Sequence, residues 1–161
     1  MRRTLVLLAV CLFVSTSLAA AQSETEQEIE QSIIERYEFM NENLRGPGGV
    51  FSSLGGLAFY SSGGLLQRIP PAAEQQPEEY EAHQVLPKHI EVITLVEGQV
   101  AVAHYYAEGS LKPAGAGAVG HYLTRVTEVY VMEEGEWRVR SSHWSPIAGG
   151  SGTSLTTVTV Q

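Results

Sequence analysis

The sequence predicts an α+β domain in which one N-terminal amphipathic helix packs on an antiparallel sheet. Three observations carry this. Residues His121 to Pro146, HYLTRVTEVYVMEEGEWRVRSSHWSP, read as two long strands joined by a tight acidic turn. Two further strand-like runs, His89–Leu95 and Val100–Glu108, precede them and make a four-strand meander. Upstream, Ile29, Ile33, Tyr37, Met40 and Leu44 recur at helical spacing.

The chain has 161 residues, enough for one domain and a leader. Met1 to Ala21 has the three-part form of a secretory signal. Arg2 and Arg3 form the basic start, Leu5–Val14 the apolar run, and Ala19–Ala21 the small residues before a cut ahead of Gln22. The expectation is an exported domain, periplasmic or secreted, spanning 22–147 with a flexible Gly/Ser/Thr tail at 148–161. No other long apolar segment follows, so no membrane contact is expected once the leader is gone. Cys11, the one cysteine, leaves with the leader. That excludes disulfides, a thiol nucleophile and cysteine-ligated metals from the mature chain.

Ten Lys and Arg, less the two leader arginines, stand against eighteen acids, a net charge of −10. Such a balance argues against nucleic acid as a partner. Every acid is glutamate. The absence of aspartate excludes Ser-His-Asp triads, aspartate-based calcium loops and an aspartate general base.

Ser23 to Leu44 reads as a helix, with Ser23 and Glu26 in capping-box spacing and glutamates and glutamines opposite the apolar stripe. Arg45 to Gly64 is broken by glycines, and no acid occurs between Arg45 and Ala73. A short strand is expected at Gly56–Tyr60. A pocket wall built from Phe51, Leu54, Leu57, Phe59, Tyr60, Ser61 and Ser62 would be apolar with hydroxyls, suited to a small, largely apolar organic molecule. Pro70 to Pro87 is rich in Pro, Glu and Gln and reads as a surface loop, with a helical turn at Glu78–His83. His83 and His89 lack partners at metal-ligand spacing, so no metal and no cofactor is expected.

On the second strand of the first hairpin, Val100, Val102, His104 and Tyr106 share a face. Lys112 to Gly120 reads as a mobile loop. On the next strand Arg125, Thr127, Val129 and Val131 share one side, and Val126, Glu128, Tyr130 and Met132 the other. Glu133-Glu134-Gly135-Glu136 makes the turn, where Gly135 can take the positive φ a short loop needs. The last strand is read as Trp137, Val139, Ser141 and His143 on one face, and Arg138, Arg140, Ser142 and Trp144 on the other. Neither face of the hairpin is purely polar, which predicts a helix layer on one side and a partner subunit or second layer on the other. The tail's Leu155–Val160 run is either an edge strand or disordered. No phosphate loop, nucleophile elbow or HExxH occurs.

Gly120-His121-Tyr122, Arg125-x-Thr-Glu-Val-Tyr-Val, Glu136-Trp-Arg-Val and Ser142-His-Trp-Ser resemble the SnoaL-like branch of the nuclear transport factor 2-like (NTF2-like) superfamily, best over 92–146. The resemblance implies a cone: a strongly curved antiparallel sheet wrapped around the N-terminal helix, with an internal pocket and usually a homodimer. In it the helix closes the pocket and Tyr37 turns its hydroxyl inward. Family enzymes usually carry an acid within the 45–64 region, and this chain has none there. Ketosteroid isomerase, which shares the cone, uses an aspartate base that this chain also lacks.

The candidate pocket residues are therefore Tyr37, Tyr60, His104, Tyr106, Arg125 and His143. His104 or His143 could serve as general base, with Tyr106 or Arg125 polarising a carbonyl. Equally, His143 could lock a sheet corner and Arg125 could pair with Glu128 or Glu108. The first expectation is an exported small-molecule-binding domain. The alternatives are a proton-transfer isomerase or dehydratase, and an assembly module acting through its sheet face or tail. Catalysis itself is left open.

Overall fold

The computed structural model describes residues 22–153. Helix α1 spans Glu24–Asn43 and starts as the sequence predicts. Ser23 Oγ accepts the Glu26 N–H at 3.2 Å, and Glu26 returns a carboxylate to the Ser23 N–H at 3.0 Å. Leu44, left-handed at φ 54°, ends it. Thr25, Ile29, Ile33 and Tyr37 are its buried face.

The strands are β1 (Gly56–Phe59), β2 (Gln67–Ile69), β3 (Tyr80–Val96), β4 (Val100–Pro113), β5 (Val119–Glu133) and β6 (Glu136–Pro146), with a single 3-10 turn at Ala72–Glu74. They form one curved, unclosed sheet in the order β2-β1-β6-β5-β4-β3. All pairs are antiparallel except β1 with β6. Helix α1 lies along β3 and β4 on one face. Ala101, Ala103 and Ala107 are fully buried there, small enough to let the helix approach. Trp137 at the far end of the sheet donates its indole N–H to Glu28 of the helix at 2.8 Å.

The structure corrects the sequence reading at four places. Residues 80–87 are strand, with no helical turn at 78–83, and β4 runs on to Pro113 to pair with them. Pro87 misled: β3 is an edge strand, where a residue without an N–H leaves no ladder bond unmade. The 112–120 loop shortens accordingly to residues 114–118. Residues 148–153 are not a free linker. Ser151 lies beside β5, exchanging backbone bonds with His121 (2.9 Å) and Leu123 (3.2 Å). The Leu155–Val160 run lies outside the described residues.

The fourth correction sets the faces of β6. Val129 opposes Ser141 while Tyr130 opposes Val139, so Arg140 is the extra residue of a β-bulge. Strict alternation fails across it. Val139, Ser142 and Trp144 face the helix, while Ser141, His143 and Ser145 face outward.

Edge strand β3 is protected from within. The Asn41 side chain accepts the Val85 N–H (3.1 Å) and donates to the Val85 carbonyl (3.0 Å), as a neighbouring strand would. The same Asn41 oxygen contacts His83 Nδ1 at 2.7 Å. A carbonyl oxygen only accepts, so Nδ1 carries the proton. Burial holds the His83 pKa down to about 4, and the ring is neutral.

Candidate functional site

The interior between helix and sheet is organised by four residues. Arg36 of α1 reaches Glu128 of β5 at 2.7 Å, and Glu128 is 1% exposed. The same carboxylate oxygen accepts the Tyr130 hydroxyl at 2.7 Å and the Tyr105 hydroxyl at 3.1 Å. Arg36 also donates to the Tyr105 hydroxyl at 2.8 Å. One buried carboxylate thus gathers two strands and the helix. Burial works against the Arg36 charge, but Glu128, Tyr105 and Tyr130 outweigh it and hold its pKa well above the ordinary value. Burial raises Tyr105 and Tyr130, so both stay protonated donors.

Tyr37 sits edge-on to Tyr105, ring centroids 6.1 Å apart, and Trp144 packs on the same Tyr105 ring at 6.4 Å. The Tyr37 hydroxyl is buried and, among the described residues, has no well-formed hydrogen bond, with Tyr105 its near neighbour. Thr124 Oγ1 and Ser142 Oγ on the same sheet face likewise have no well-formed hydrogen bond among the described residues. Two open clefts of about 510 Å³ each lie elsewhere, one around the β3 edge at His83 and one between β1, β2 and β6.

Of the six candidates, Tyr37 alone lies in this interior cluster. Tyr60, just past β1, is half-buried, and burial pushes its pKa up to about 12 with Glu78 adding to the rise. His104, Tyr106, Arg125 and His143 share the opposite, outer face. They do not meet Tyr37. His104 Nδ1 contacts Thr127 at 3.0 Å; Arg125 Nε donates to Ser145 at 2.8 Å. Arg125 does not pair with Glu128 because three residues along a strand is an odd step, which puts them on opposite faces. Nor does it pair with Glu108, which binds Lys88 at 2.5 Å. His143 stacks at a tilt on Phe59, centroids 5.5 Å apart. Tyr106 meets His89 edge-on at 6.0 Å.

Sequence reasoning missed Arg36, Tyr105, Glu128 and Tyr130. The signals existed. Arg36 is the lone cation in the helix. Glu128 shares its strand side with Val126 and Tyr130, a carboxylate on an apolar face. Tyr105 is the one large residue in an Ala-x-Ala-x-Tyr-x-Ala alternation.

The outer face is open. Cross-strand neighbours Ile93, Val102 and Val129 make one aliphatic row, and Val96, Val100 and Val131 make the next. Ile93 and Val96 are exposed. Leu57 and Phe59 extend the apolar surface on β1.

No family model and no curated protein matches this sequence. Solved structures do. A protein from Exiguobacterium sibiricum 255-15, described as a candidate Ca/calmodulin-dependent kinase II association domain, is 12% identical over 79% of this chain and 96% of its own, with a TM-score of 0.51. An NTF2-like protein of unknown function from Pseudomonas putida KT2440 is 19% identical over 84% of this chain and 99% of its own, TM-score 0.49. A DUF3225 protein of unknown function from Pectobacterium atrosepticum SCRI1043 is 13% identical over 78% and 93%, TM-score 0.47. With one N-terminal helix against a curved, unclosed six-stranded sheet, this chain has an α+β fold of the kind the Exiguobacterium protein shares, consistent with the NTF2-like cone.

Proposed function

We propose that this domain is an association module and that it pairs with a second copy of itself through the outer face of its sheet. The observation that carries this is the double aliphatic row on the outer face, Ile93–Val102–Val129 and Val96–Val100–Val131, exposed at Ile93 and Val96 and half-buried at the other four. Contiguous apolar surface on a folded domain marks an interaction site. The face presents roughly twenty outward side chains across β1 and β3 to β6, the size of one side of a stable interface. It also carries both signs, Arg125 and Lys88 with Glu91 and Glu108, as an isologous twofold contact needs. The likeness to a candidate association domain extends to the fold alone.

Sedimentation of the full chain tests the reading. The wild type should run as a dimer, and Val102→Glu, which sets a carboxylate in the middle of the aliphatic rows, should run as a monomer with unchanged circular dichroism. A monomeric wild type at about 100 µM, weaker than nearly any specific complex of this size, sinks the proposal.

A second reading is a small, largely apolar molecule bound in the cone, favoured by the buried hydroxyls of Tyr37, Thr124 and Ser142, which have no well-formed hydrogen bond among the described residues. Native mass spectrometry of the protein from its own host would show a retained mass; an empty protein in every preparation removes this reading. Assignment to the SnoaL-like branch and export with cleavage near Ala21 belong to the same proposal. The former rests on the strand motifs of β5 and β6, the latter on the leader. N-terminal sequencing of the mature protein checks the cut.

A further inference from the structure

The stretch without acids, from Arg45 to Ala73, builds one particular place. It supplies most of the wall of the cleft between β1, β2 and β6: Leu54, Leu57, Arg68, Ile69 and Pro70, with Arg140 of β6 completing it. Leu57 is the cross-strand neighbour of both Arg68 and Ser141, so β2 and β6 flank it on either side. The bulge on β6 displaces Arg140 from the outward row and aims it at the 54–55 loop.

There Nη1 of Arg140 donates to the carbonyls of Leu54 (3.3 Å) and Gly55. That fixes the guanidinium and leaves the rest of its donor fork without a partner among the described residues. Gly55, at φ 74°, is what allows this loop path: a Cβ there would stand 2.4 Å from the Ile69 carbonyl oxygen. The Arg68 side chain makes no hydrogen bond and no ion pair among the described residues. Arg36, Lys88, Lys112 and Arg138 each have a glutamate. Glu133, which contacts the neighbouring 52–53 loop, is held by Ser52 Oγ (2.5 Å) and the Ser53 N–H (2.7 Å).

An acidic protein therefore keeps two arginines free of carboxylates beside an apolar wall. We infer that this cleft binds a small organic carboxylate, its anion on Arg68 and Arg140 and its aryl or alkyl body against Leu54, Leu57, Ile69 and Pro70. Guanidinium forks match a carboxylate in plane. A cleft of about 510 Å³ has the size of a small-molecule site. The site is distinct from the cone interior and borders the sheet face proposed for pairing, with which it shares Leu57 and Ser141.

The test is an amide-resolved NMR titration of the full chain with sodium 2-naphthoate, alongside 2-naphthylmethanol as the neutral counterpart. Saturable shifts are expected at Leu54–Leu57, Arg68–Ile69 and Arg140–Ser141. The alcohol should bind at least ten-fold more weakly, and Arg68→Gln should weaken naphthoate roughly ten-fold, the loss of one charge-assisted contact at a half-open site. Among the described residues the Arg68 side chain makes no hydrogen bond or ion pair, so that variant should fold as the wild type does, which an unchanged circular dichroism spectrum checks. Equal binding of acid and alcohol, shifts centred elsewhere, or an Arg68→Gln variant of unchanged affinity each overturns the inference.

Discussion

Replacing Glu128 by leucine should cost about 3–5 kcal/mol of stability, the price of leaving a charge buried without its partner. The magnitude follows from the site. At 2.7 Å and an effective dielectric near 20, the Arg36–Glu128 attraction is about 6 kcal/mol. Desolvating both groups offsets much of it while the pair is intact. Removing only Glu128 keeps the cost for Arg36 and discards the attraction. It also strips the acceptor from the Tyr105 and Tyr130 hydroxyls. The melting temperature should fall by roughly 10–20 °C for a domain of this length. The double variant Arg36→Met with Glu128→Leu removes the stranded charge and should recover at least half of the loss. Urea melts followed by circular dichroism, at one fixed protein concentration, measure all three proteins. A Glu128→Leu variant within about 1 kcal/mol of wild type, or a double variant as unstable as the single, would refute the view that this carboxylate is a buried counter-ion.

Tyr37→Phe removes a hydroxyl that has no well-formed hydrogen bond among the described residues and should leave stability unchanged or raise it by up to about 1 kcal/mol, whereas Tyr105→Phe, which loses bonds to Arg36 and Glu128, should cost about 1–3 kcal/mol. A loss above 1 kcal/mol for Tyr37→Phe would show that a water or ligand serves its hydroxyl. His83 has a folded pKa near 4, below its ordinary 6.5, so the folded state takes up fewer protons between those values. Its contribution is complete above pH 6.5 and is lost as pH falls toward 4. Wild type should lose on the order of 2 kcal/mol more than His83→Gln over that window, and parallel pH profiles would contradict it. Glu133 is held below the usual carboxylate range by the Ser52 hydroxyl and then the Ser53 N–H, so its clamp on the 52–53 loop is present above the ordinary pKa and released as pH falls through the lowered one. In Glu133→Gln the Ser53 amide should exchange with solvent roughly ten-fold faster at neutral pH, a local opening worth about one hydrogen bond; unchanged exchange would discount the clamp.

Much of this molecule was legible in one dimension because its signals are local. A capping box and a 3.6-residue apolar stripe define α1 whatever the helix packs against. Alternation along Val100–Tyr106 and Arg125–Met132 assigned those strand faces correctly, since the pleat has a fixed period. Which face would meet the helix was not local. His104, Tyr106 and Arg125 looked like chemistry because they are polar residues on strands, yet they lie on the outer face. The alanines beside Tyr105, not the polar residues beside them, mark where the helix comes close.

The sequence by itself determined the α+β class, the helix, the meander and its acidic turn, because propensity, capping and periodicity act over a few residues. The tertiary structure decided three things. It extended β3 back through Pro87, because a long partner in β4 supplies the ladder and an edge position forgives the missing N–H. It moved Ser142 and Trp144 to the helix side through one extra residue at Arg140, a register effect with no signature in β6 alone. And it joined Arg36 to Glu128, 92 residues apart, because a charge excluded from water must find its counter-charge wherever the fold brings one within reach.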